Sequence, residues 1–152
     1  MILWFFLIAL CVSCAGKSSS LKDGYYTAEA AQFDEYGWKE YVTVRIADGK
    51  ITLVEYNAFN SAGFIKSWDM DYMRVMNARN GTHPNAYTRY YGQRLLENQG
   101  TEGVECISGA TTSYNMFLAL ADTALENARQ GNANTSLVTF SGNGHDEENQ
   151  AR

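Results

Sequence analysis

Apolar and polar residues alternate along the first half of the chain and recur every three or four positions along the second. Tyr26, Ala28 and Ala30 alternate with Thr27 and Glu29, the two-residue period of a half-buried strand. Val42, Val44 and Ile46 repeat that period against Thr43 and Arg45, and Ile51, Leu53 and Glu55-Tyr56 continue it. Between the two runs stands Asp48-Gly49, a pair suited to the positive φ that a two-residue turn demands, so they form a predicted β-hairpin. From Asp69 the period changes. Met70, Met73, Val75 and Met76 fall at helical spacing until Asn80-Gly81 ends the segment. Pro84 opens a second helix running to about Gln99, with Tyr87, Tyr91 and Leu95 along one face. A third begins near Thr112 or Ser113, carries Phe117, Leu120, Ala121, Ala124, Leu125 and Ala128 on one face, and stops at Gly131. Ser136 to Phe140 reads as a last short strand. Strands gathered ahead of helices predict an α+β fold: one small antiparallel sheet covered by about three helices in a single domain. A doubly wound parallel sheet needs regular alternation of strand and helix, which this order lacks.

The two ends of the chain break the pattern. Ile2 to Val12 is almost continuously apolar, too short for a comfortable bilayer-spanning helix and suited to the apolar region of an export signal. Val12-Ser13-Cys14-Ala15-Gly16 resembles a bacterial lipoprotein cleavage site, with Cys14 as the residue that would carry lipid. A multiply acylated cysteine anchors stably where a single acyl chain does not. This divides the chain into a signal peptide over 1–13, a lipidated tether over 14–22, a folded domain over 23–131, and a short strand with a disordered acidic tail over 132–152.

The chain has 152 residues, a charged fraction of 19% and a formal charge of −5, and no Lys/Arg cluster, which argues against a nucleic-acid partner. If Cys14 is acylated and Cys11 leaves with the signal, Cys106 is the remaining thiol, and no disulfide framework is possible. His83 and His145 have no ligand-like spacing to each other or to a cysteine, so no metal site is expected.

Candidate chemistry concentrates in Glu105-Cys106-Ile107-Ser108-Gly109-Ala110-Thr111-Thr112-Ser113. Gly109 permits a tight turn, Ala110 keeps the approach small, and three hydroxyls follow at a helix start, where unpaired N–H groups and the helix dipole favour an anion. The dipole contributes about 0.3–1 kcal/mol at an exposed site, whereas nanomolar retention of a ligand needs about 12 kcal/mol. From the residues alone, an ordinary N-cap and an anion site both remain open. A P-loop does not, because the Gly-Lys-Ser/Thr ending is missing, and neither does a nucleophile elbow.

Ser108-Gly109-Ala110-Thr111, followed by Thr112-Ser113, resembles the flavinylation motif of the FMN-binding domain family, which includes the covalent-FMN subunits of the sodium-pumping NADH:quinone reductase and the Rnf complex. Asp23-Gly24-Tyr25-Tyr26-Thr27, Gly37-Trp38, Val42-Thr43-Val44, Asp48-Gly49-Lys50-Ile51 and Gly63-Phe64-Ile65-Lys66-Ser67 follow the family pattern in order, so the resemblance spans roughly residues 22 to 130. It implies an exported, membrane-anchored electron carrier rather than an enzyme in its own right. FMN would be joined through its phosphate to Thr111 by a separate FAD:protein FMN transferase, and redox partner proteins would exchange electrons with it. Ser108, Gly109, Ala110, Thr112 and Ser113 take supporting roles, and Glu105 stands where the family usually carries aspartate. Trp38, Tyr72, Met76 and Tyr114 are candidates for ring contact, with core packing as the competing explanation for each. Lys66 is a candidate to neutralise a phosphate or a reduced, anionic flavin, or else a solvated surface lysine. The alternatives are a lipoprotein that binds or traffics FMN non-covalently, and a surface lipoprotein without a cofactor.

Overall fold

Alternation in the first half produces a one-sided sheet, and a computed structural model describes it over residues 20–140. The export signal, Cys14 and the acidic tail beyond residue 140 lie outside the described residues. β1 (Gly24–Ala30), β2 (Lys39–Ala47) and β3 (Lys50–Phe59) pair antiparallel in succession. The β2–β3 turn has φ of 53° at Asp48 and 69° at Gly49, the left-handed pair expected of it. After three helices, β4 (Ser136–Val138) joins the free edge of β1 in parallel, giving the order β3-β2-β1-β4. The fold is α+β with a mostly antiparallel sheet, as predicted, apart from this one parallel edge pair. A parallel neighbour requires a crossover, which the last helix supplies by lying over β1 and β2.

The helices are α1 (Met70–Asn80), α2 (Pro84–Asn98) and α3 (Thr111–Gln130), with one 3₁₀ turn, Lys66–Trp68, ahead of α1. Val42, Val44 and Ile46 from the sheet meet Tyr87, Tyr91 and Leu95 from α2 and Phe117, Leu120 and Ala124 from α3, all buried. Tyr91 stacks on Phe117 with ring centroids 5.3 Å apart, and Phe117 lies 4.9 Å from Tyr56. Both predicted helix faces thus close the core over one side of the sheet.

Three details differ from the expectation. α1 buries no residue, and Met70 and Val75 are 71% and 50% exposed. Its helical spacing is real, but its ends hold it: the Asp69 carboxylate accepts from Tyr72 N at 2.9 Å, and Gly81 closes the other end at φ 71°. Leu53 faces solvent, 44% exposed, because an irregularity between Arg45 and Ile46 pairs Ile51 with Ile46 but Leu53 with Arg45. α3 starts at Thr111, a residue or two ahead of its predicted start, and the last strand stops at Val138, two residues before Phe140.

A candidate cofactor site at the start of the last helix

The motif loop is held in place before it reaches α3. Tyr91 Oη accepts from Ile107 N at 3.1 Å, Tyr114 Oη donates to Val104 O at 2.9 Å, and Asn98 Nδ2 donates to Glu102 O at 2.8 Å. Burial pushes the Tyr91 hydroxyl up to about 12, so it stays neutral in this role. Gly109 adopts φ 81°, and a Cβ there would stand 2.1 Å from Asn80 O, so only glycine lets the loop pass the end of α1.

The helix start is open. Ala110 occupies the N-cap and offers no side-chain acceptor. The first helical bond runs from Tyr114 N to Ala110 O at 2.9 Å. Among the described residues, the N–H groups of Thr111, Thr112 and Ser113 have no acceptor. None of the motif hydroxyls closes back onto them, so the ordinary N-cap left open by the sequence is not what forms. Ser108, Thr111 and Thr112 are exposed, as are Glu105 and Cys106. Cys106 Sγ lies 3.8 Å from Thr111 Oγ1.

Ser113 turns inward. Its hydroxyl donates to Glu40 Oε1 at 3.2 Å, beneath the first turn of α3. Glu40 is only 3% exposed and is also met by the Tyr56 hydroxyl and by Lys66 Nζ at 3.5 Å. Tyr56 Oη lies 2.9 Å from Ser113 O as well, so one phenolic proton stands between two acceptors. Burial drives the Glu40 carboxyl above its ordinary value, opposed by the Lys66 ammonium and the hydroxyl donors. Burial is the largest influence and works against the Lys66 ammonium, but Glu40 together with Tyr87, Tyr72 and Asp34 outweighs it and holds Lys66 above the usual lysine range. Tyr87 completes the cluster, fully enclosed and with no hydrogen-bond partner for its hydroxyl among the described residues.

Lys66 is therefore a buried, paired cation, 4% exposed, and not a solvated surface lysine. Its ammonium lies 5.5 Å from the Tyr72 ring, and Tyr72 meets Trp38 edge-on at 5.7 Å. Asn80 Nδ2 reaches Met76 Sδ at 3.5 Å and Gly109 O at 3.4 Å. Tyr72, Met76 and Asn80 are spaced by four, so one face of α1 runs about 12 Å from the Lys66–Trp38 corner to the motif loop. Four of the predicted residues thus share an end of the fold with the motif. Tyr114 differs: its ring packs 5.7 Å from Tyr91 and its hydroxyl braces the loop. Glu40, Tyr56, Tyr87 and Asn80 were missed from sequence, although Glu40 falls in phase with buried Val42, Val44 and Ile46 and could have been found by that. A separate cleft of about 400 Å³, lined by Tyr41, Asn57, Ser67, Trp68, Thr88 and Arg89 among others, includes no motif residue.

The chain has relatives among known proteins. The chain is 38% identical over 126 residues to the 15 kDa lipoprotein of Treponema pallidum, an alignment taking in 81% of this chain and 89% of that protein. This chain belongs to that lipoprotein's family. The same fold is found in a Clostridium perfringens protein of known crystal structure, 38% identical with a TM-score of 0.76, where the match covers 80% of this chain and 99% of that one. A Clostridium thermocellum protein solved in solution is 31% identical with a TM-score of 0.50, over 71% and 92% of the two chains. No family model matches the chain. Among the described residues, no helix is long and apolar enough to cross a membrane.

Proposed function

We propose that this lipoprotein-family member is exported, anchored through lipid on Cys14, and carries FMN esterified through its phosphate to Thr111, serving as an electron carrier. The observation that carries the reading is the uncapped start of α3. An exposed threonine hydroxyl stands at the first helical position beside three unpaired N–H groups, on a loop that only Gly109 allows. The residues present fit a phosphate there: Thr111 offers the ester oxygen, and the exposed Ser108 and Thr112 hydroxyls and the first-turn N–H groups offer donors. Tyr72 and Met76, both half-buried, offer flat or polarizable surface for the ring, whereas Trp38 is only 5% exposed and packs behind Tyr72 as a core residue. Ser113 supports the site indirectly, through Glu40.

Bound FMN supplies the reversible redox chemistry, and the protein binds, orients and shields it. A covalent link suits an exported protein, because it makes ring docking intramolecular and holds the flavin where a dissociated one would be diluted away. The attachment itself belongs to the FAD:protein FMN transferase. That the Treponema pallidum relative is a lipoprotein supports acylation of Cys14.

The test is the intact mass of the native mature protein, with in-gel fluorescence after co-production with the transferase. Denatured wild-type protein stays fluorescent, and Thr111→Ala does not. Flavin that leaves on denaturation would indicate non-covalent binding, and a mass with lipid but no flavin would indicate a lipoprotein without a cofactor. Equal fluorescence in wild type and Thr111→Ala would remove Thr111 as the attachment point.

A further inference from the structure

The point where the tether enters the domain and the point that carries Thr111 lie at opposite ends of α3. At the entry, Lys22 N donates to Ala128 O at 3.0 Å, and Lys22 Nζ donates to Gln130 O at 2.8 Å. Both acceptors lie in the last turn of α3, where carbonyls have no partner within the helix and attract a cation. Gly131 makes room for this contact: at φ 73°, a Cβ on it would stand 2.7 Å from Lys22 Cδ. Asp23 Oδ1 accepts from Gly49 N at 3.1 Å, tying the entry to the β2–β3 turn, and Leu21 packs on the core. The entry is thus clamped to the C-terminal end of α3 and to the hairpin turn. Thr111 begins the same helix, whose 20 residues span about 30 Å.

We infer that the anchored protein stands with the N-terminal end of α3 directed away from the bilayer, and that its Thr111 site serves a water-soluble protein partner and not a carrier dissolved in the lipid. This rests on the reading of Cys14 as acylated and, for the electron exchange, of Thr111 as the flavin's attachment. The seven steps of chain from Cys14 to Leu21 reach about 25 Å at most. The hairpin turn and the end of α3 are then the surfaces nearest the headgroups. Bringing Thr111 to the membrane means tipping the domain on its side, which presses a chain of net charge −5 against the leaflet. An anionic leaflet repels that charge within a screening length of about 8 Å. In the exchange, the partner's redox centre gains the electrons that the flavin loses, and the released protons pass to water.

The experiment uses the acylated full-length chain in vesicles of phosphatidylcholine and phosphatidylglycerol, with an energy acceptor on the lipid headgroups. One sample carries a fluorophore on Cys106, which is exposed beside Thr111; another carries it at Gln130→Cys in a Cys106→Ser background. Transfer from position 130 should be strong and transfer from position 106 several-fold weaker. Equal transfer, or stronger transfer from 106, overturns the orientation. On the same vesicles, reduced flavin-loaded protein should pass electrons to a water-soluble cytochrome at least tenfold faster than to a long-tailed quinone in the bilayer. A short-tailed, water-soluble quinone with the same headgroup should restore a fast rate. A long-tailed quinone that reacts as fast as the cytochrome, or a short-tailed one as slow as the long, overturns the partner assignment. If the chain holds no flavin, the Thr111 reading fails and the electron arm falls with it, while the energy-transfer arm still decides the orientation.

Discussion

Removing the Lys66 ammonium should destabilise the protein by an amount that depends on pH in a calculable way. Lys66→Met keeps an unbranched apolar stem of similar length and leaves Glu40, 3% exposed, with only the Tyr56 and Ser113 hydroxyls as donors. Deleting one partner of a buried pair typically costs about 3–5 kcal/mol. Here the cost has a ceiling, because Glu40 can take up a proton rather than remain charged. With an unfolded-state carboxyl near about 4.3 and about 1.36 kcal/mol per pH unit, protonation at pH 7 costs about 3.7 kcal/mol, and at pH 5 about 1 kcal/mol. Burial already raises the Glu40 pKa, with Lys66 opposing, so losing Lys66 raises it further. A carboxyl whose folded-state pKa lies above its unfolded value favours folding most below the unfolded value and loses that advantage as pH rises through the folded one. Lys66→Met should therefore be weakest at pH 7 and recover most of its deficit by pH 5. Urea unfolding of both proteins at pH 5, 6 and 7 measures this, provided the two share one slope. A penalty equal at pH 5 and pH 7, or below about 1 kcal/mol at pH 7, would refute the coupling. The pair Lys66→Met with Glu40→Gln removes both charges and should recover much of the loss at pH 7.

Other expectations concern the motif loop. Gly109→Ala combines a left-handed φ, worth about 1–2 kcal/mol against an L-residue, with a Cβ driven into Asn80 O, so it should lower stability by about 2 kcal/mol or more in urea and reduce flavin incorporation. Tyr91→Phe leaves Ile107 N without its acceptor; it should cost about 1–3 kcal/mol and raise hydrogen exchange across the motif loop while the middle of α3 stays protected. Unchanged exchange at Ile107 would show that the bond does not hold the loop.

Most of the fold was legible because this sheet has one buried face. On such a sheet the two-residue period reports burial directly, and it placed Val42, Val44 and Ile46 in the core with Asp48-Gly49 as the turn. The periods of α2 and α3 were legible for the same reason. What failed were features that depend on a second segment. Leu53 keeps the right spacing, but a local irregularity turns it outward. The methionines of α1 announce a helix without saying that none of its residues is fully buried. Lys66 gave no sign of burial because its partner lies 26 residues earlier, in a strand. At the site, the motif marked the helix start to within two residues, yet it did not show that Ala110 would take the cap and that Ser113 would turn inward.

That inward turn explains why a charged pair is buried under a helix start at all. A serine in the first turn of a helix ordinarily satisfies local backbone donors and closes the end. Glu40 takes the Ser113 hydroxyl for itself, so the N–H groups above it stay free. A lone carboxylate there would gain from the helix dipole, by about 2 kcal/mol at most in a partly buried setting, and would by the same field repel a second anion. Lys66 cancels that repulsion: it pairs with Glu40 and leaves the ground beneath the first turn electrically neutral. On the proposed reading, the site then keeps its unpaired donors and dipole for the cofactor's phosphate, undiminished by the carboxylate beneath.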